Sequence, residues 1–81
     1  MRHIQYKTSG TCSREISFDL DENNKVHNVT FIGGCNGNLK GISALVEGMD
    51  KDQVEKLLSG ITCGPKQTSC PDQLAKAMKS I

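Results

Sequence analysis

Arg14-Glu15-Ile16-Ser17-Phe18-Asp19-Leu20-Asp21-Glu22-Asn23-Asn24-Lys25-Val26-His27-Asn28-Val29-Thr30-Phe31 is the stretch that decides the fold. Ile16, Phe18 and Leu20 fall two apart, alternating with Ser17, Asp19 and Asp21. Successive side chains of a strand point to opposite faces, so this spacing predicts a strand with one apolar and one polar face. Val29 and Phe31 repeat the spacing, and Val26 opens their strand. β-Branched and aromatic residues are the ones a pleated, half-buried surface accommodates. Asp21-Glu22-Asn23-Asn24 supplies the turn, because short polar side chains bond to their own backbone there. Upstream, Ile4 and Tyr6 predict another strand, and a turn beginning at Ser9-Gly10-Thr11 joins it to the hairpin. The first third therefore reads as a three-stranded antiparallel meander.

Downstream the apolar period becomes helical. Leu39, Ile42, Leu45 and Val46 follow the stretch Gly33-Gly34-Cys35-Asn36-Gly37-Asn38, and Gly48 ends that helix. Asp50 is an N-cap with Gln53 as its capping-box partner, and Met49 and Val54 take the positions of a hydrophobic staple. Val54, Leu57 and Leu58 predict the buried stripe of the second helix, which Gly60 stops. After a loop over residues 61–69, a last helix starts at Pro71, with Asp72 in its first turn and Leu74, Met78 and Ile81 along one side. The expected fold is α+β: the meander followed by about three helices packed on one face, a single domain over residues 1–81.

Composition narrows the function classes. The chain has 81 residues and a formal net charge of +1, which gives no general electrostatic case for nucleic acid or an anionic membrane. No apolar run approaches the roughly 18 residues of a membrane span. Met1-Arg2-His3-Ile4-Gln5-Tyr6-Lys7 lacks the apolar core of a secretory signal, so a cytoplasmic location is expected. The core is thin, with no Trp and only Tyr6, Phe18 and Phe31 as aromatics. Small domains of this kind often need a disulfide or metal staple.

Cys12, Cys35, Cys63 and Cys70 are the candidates. Cys12 lies in the turn entering the second strand and Cys35 just past the third. The start of one antiparallel strand and the end of its neighbour share a sheet edge, so these two are expected side by side. Cys70 takes the N-cap position of the last helix, where backbone N–H groups favour a thiolate. Cys63 sits in the loop that delivers Cys70, with Gly64-Pro65 bending the chain after it. Four thiols from three loops fit one tetrahedral metal site, although none has the C-x-x-C spacing of an ordinary zinc finger. Small buried side chains, reactive thiols and disulfides are the competing readings. Arg14 is a solvated strand-edge charge or a holder of a thiolate or anionic sulfur species. Asp72 reads as a helix-start charge. His3 and His27 read as surface or half-buried strand residues without a carboxylate spaced as a catalytic partner. No nucleophile–base–orienter set exists apart from the thiols, which leans against an enzyme.

Thr68-Ser69-Cys70-Pro71-Asp72 spells the signature of the TSCPD domain family, and the likeness extends to Gly64 and to Gln73-Leu74-Ala75-Lys76-Ala77. The chain resembles the short, four-cysteine bacterial members from end to end. The same domain type occurs at the C-terminus of cobalamin-dependent ribonucleotide reductases. The resemblance thus implies an accessory or regulatory module with a nucleotide or thiol role, while 81 residues are too few for a reductase barrel. A second resemblance is to the IscU/NifU-type iron–sulfur scaffold, which places cysteines where Cys12, Cys35 and Cys70 stand. That resemblance implies an iron–sulfur or persulfide carrier. This chain departs from it at Arg14, where the scaffold has an aspartate, at Ser69, where it often has a histidine, and in the additional Cys63. Those departures favour a closed four-thiolate site for zinc, which iron or an iron–sulfur cluster would also accept. A protein partner is unspecified, and the open edge of the sheet is a surface through which a dimer could pair.

Overall fold

The computed structural model describes residues 1–8, 10, 13–33, 36–61 and 68–81. Within them run β1 (Arg2–Lys7), β2 (Ser13–Leu20), β3 (Val26–Gly33), α1 (Asn36–Val46), α2 (Lys51–Leu58) and α3 (Cys70–Lys79). The strands form an antiparallel sheet in the order β1-β2-β3. This is the α+β arrangement that the alternation and the helical periods predict.

The β2–β3 turn is built by its own polar side chains. Asp21 Oδ1 accepts the N–H groups of Asn23 at 2.8 Å and Lys25 at 2.9 Å. Asn24 takes the left-handed conformation, φ 61°, that closes a tight hairpin. Farther along, the register slips: Ser17 faces Thr30, but Asp19 faces His27. The additional β3 residue is accommodated at Asn28, whose φ is 57°. The bulge turns both Val26 and Val29, three positions apart, into the core, which strict alternation forbids.

One sheet face carries the core. Ile16, Phe18, Leu20, Val26 and Val29 pack with Val46 of α1, Val54 of α2, and Leu74, Ala77 and Met78 of α3. Ile4, Tyr6, Phe31, Met49 and Ile81 pack around them. Burying each large aliphatic or aromatic side chain stabilises by about 1.5–3 kcal/mol. Asp50 caps α2 as expected, its carboxylate accepting the N–H of Asp52 at 3.0 Å. The segment leading into that cap pairs with β3: the Val26 N–H donates to Met49 O at 2.8 Å, and the Gly48 N–H to Val26 O at 2.7 Å.

Three sequence expectations are corrected. Leu45 and Leu57 are exposed, at 78% and 57%, rather than part of the buried stripes. Leu39 and Val46, seven apart, fix the inward line of α1, and at 100° per residue Leu45 lies about 110° away from it. In α2, Val54 and Leu58 take the inward line and Leu57 falls beside it. Finally, α3 begins one residue earlier than Pro71: Ser69 is the N-cap and Cys70 the first helical residue.

Candidate site at the start of α3

Ser69 caps α3 because its hydroxyl oxygen accepts the N–H of Asp72 at 3.2 Å, satisfying one of the donors a helix start leaves open. The same hydroxyl donates to the carbonyl of Ile61 at 2.5 Å, just past α2. Asp72 makes a second tie. Its Oδ1 accepts the N–H of Gly60 at 2.7 Å, and its Oδ2 accepts the hydroxyl of Thr68. Gln73 Nε2 donates to Thr68 Oγ1 at 3.0 Å. Thr68, Ser69, Asp72 and Gln73 are all buried. The Thr68 hydroxyl, then the Gly60 N–H, hold the Asp72 carboxyl below its ordinary range; burial opposes them, and Lys76 at 3.6 Å assists. Asp72 is therefore an ionised acceptor at neutral pH. Reading it as a helix-start charge missed that it is 4% exposed and binds the exit of α2.

Of the four cysteines, Cys70 is described, half-buried in the first turn of α3. Cys12, Cys35 and Cys63 lie outside the described residues, so their expected grouping does too. The residues flanking them are described. Ser13, which follows Cys12, pairs with Gly33, two before Cys35. Gly10, two before Cys12, lies so near Thr68 that an added Cβ would stand 3.1 Å from Thr68 Cγ2. Ile61, two before Cys63, receives the Ser69 hydroxyl. Arg14 is exposed on β2, and its carbonyl accepts the Thr8 N–H at 3.2 Å. Among the described residues, no group of three or more His, Cys, Asp or Glu side chains is arranged to hold a metal ion.

The histidines do find carboxylates, through sheet register rather than sequence spacing. His3 pairs with Asp19 across β1 and β2, Nδ1 to Oδ1 at 2.7 Å. His27 Nε2 lies 2.8 Å from Asp21 Oδ2, and its Nδ1 lies 2.6 Å from Glu47 Oε2. Both ring nitrogens thus face acceptors, which the doubly protonated ring satisfies. Asp21 first, then Glu47, raise the His27 pKa above its ordinary value. These contacts tie the β2–β3 turn to the end of α1.

A meander, its helices, and a Thr-Ser-Cys-Pro-Asp turn that starts the last of them define the class of this domain. The family model of the TSCPD domain matches residues 1–81, and the chain belongs to that family. No curated protein and no solved structure matches it. Among the described residues, no helix is long and apolar enough to cross a membrane.

Proposed function

We propose that this chain is a small metal-binding protein whose Zn²⁺ is held by the thiolates of Cys12, Cys35, Cys63 and Cys70. One observation carries the reading: described residues within two positions of each cysteine are joined in pairs, and two of those pairs lie at the start of α3. Ser13 pairs with Gly33, Gly10 abuts Thr68, and Ile61 is bonded to Ser69, the neighbour of Cys70. Four thiolates with no open position suit a structural zinc site. Structural zinc contributes about 10–16 kcal/mol in finger peptides at neutral pH. The whole stability expected of a chain this size is roughly 4–12 kcal/mol, so metal would decide whether it folds. The site then has no catalytic duty.

Iron bound by the same thiolates is the second reading. It is favoured by the place of Cys70 in the first turn of α3, where the helix N-terminus stabilises a thiolate. In that case the protein would carry iron, an iron–sulfur cluster or persulfide sulfur. Replacing each cysteine singly with Ser tests the shared site. Each variant is expected to lose metal affinity and melting temperature together; four variants with wild-type metal content would refute it.

A further inference from the structure

The geometry points to Asp72 as a positioning residue for the cysteine site: its buried carboxylate holds both ends of the Cys63-bearing segment against the first turn of α3, beside Cys70. The inference rests on the four-cysteine reading. Gly60 and Thr68 bracket residues 61–67, and each donates to a different oxygen of Asp72. A carboxylate fits this task and an amide does not. Two donors converge on two acceptor oxygens, whereas an Asn side chain would present an NH₂ group to one of them. A residue serving only the helix dipole would sit in water; Asp72 accepts the cost of burial and recovers it through those two bonds.

The atoms being tied are close to the thiols in sequence. Thr68 is two residues before Cys70, and Gly60 is three before Cys63. The Ser69 hydroxyl adds a parallel bond to Ile61. Groups that orient metal ligands without touching the ion typically change affinity about 10–100-fold when lost, so slack at either end of the segment would be read at the metal. Asp72 thus acts on the site through Gly60 and Thr68 without touching the ion.

Co²⁺ added to the full-length chain is the probe, because thiolate–cobalt absorption reports how many thiolates bind. The variants are Asp72→Asn and Thr68→Val; the latter keeps the methyl group beside Gly10 and puts a second methyl in place of the hydroxyl. Both are expected to bind Co²⁺ about 10–100-fold more weakly, the usual loss for outer-shell changes. Their bound form should show less thiolate charge-transfer intensity and an altered d–d envelope. Thr68→Ser, which retains the hydroxyl, should keep the wild-type spectrum. Val54→Ala serves as the control for general destabilisation: it should weaken apparent binding yet leave the bound spectrum unchanged. Wild-type affinity and spectrum in both Asp72→Asn and Thr68→Val would overturn the inference and leave the four-cysteine site standing. No thiolate–cobalt absorption in the wild type would overturn the four-cysteine site and this inference with it.

Discussion

Gly10, in the turn between β1 and β2, packs against Thr68, at the threshold of α3, so closely that a Cβ on Gly10 would meet Thr68 Cγ2 at 3.1 Å. The contact joins the loop that carries Cys12 to the motif that carries Cys70. Gly10 also has φ +74°, a conformation that side-chain-bearing residues resist. Gly10→Ala should therefore cost roughly 1–2 kcal/mol from the backbone alone. Thermal melting checks this, at about 4–8 °C per kcal/mol for a domain of this size. A melting temperature equal to wild type would show that the two loops do not meet as described.

The bulge at Asn28 yields a second expectation. Asn tolerates the left-handed region, and its Nδ2 also donates to Asp19 Oδ2 at 3.0 Å. A β-branched residue there is a steric outlier. Asn28→Val should destabilise by roughly 1–2 kcal/mol or more, and Asn28→Gly by clearly less. Chemical denaturation of both variants ranks them; the reverse order would contradict the bulge that brings Val26 and Val29 onto one face.

The His27 contacts impose a pH dependence. The folded-state pKa of His27 is raised above 6.5, so its contribution is complete below that value and is lost as pH rises through the folded value. Asp21 is lowered, by His27 first and then the Lys25 N–H; Glu47 is lowered by the Asn28 N–H first and then His27. Their contributions are present above the ordinary carboxylate range and are lost as pH falls through the folded values. Wild type minus His27→Gln in unfolding free energy should therefore be largest near pH 5–6 and shrink toward about pH 8–9. Because the groups are solvent-accessible, added salt should compress the difference. A difference that is flat across that range would mean the ring does not bridge the two carboxylates.

The meander was legible because Ile16, Phe18 and Leu20 alternate without interruption and Asp21 to Asn24 is unambiguous turn chemistry. The core positions of α3 were legible for the same reason, Leu74 and Met78 being four apart. The slip at Asn28 was not. A left-handed residue changes the phase of everything beyond it, and the only local signal was the Asn itself, between His27 and Val29. The true cap of α3 did have a signal, since Ser69-Cys70-Pro71-Asp72 follows the S-x-x-D pattern of a helix start. Giving the cap to Cys70 and the first position to Pro71 overrode it. The double role of Asp72 depends on Gly60, a contact between the end of one helix and the start of the next, and no periodicity encodes that. The histidine–carboxylate contacts likewise follow from register, which pairs His3 with Asp19 and is fixed only once the strands are aligned.

The central claim is that four cysteines hold one metal ion. Elemental analysis of protein purified anaerobically, without a metal-chelating tag, tests it most directly as metal per chain. The account predicts close to one zinc per chain. Stoichiometric iron would keep the site and exchange its metal, and protein that is folded yet free of both would contradict the account.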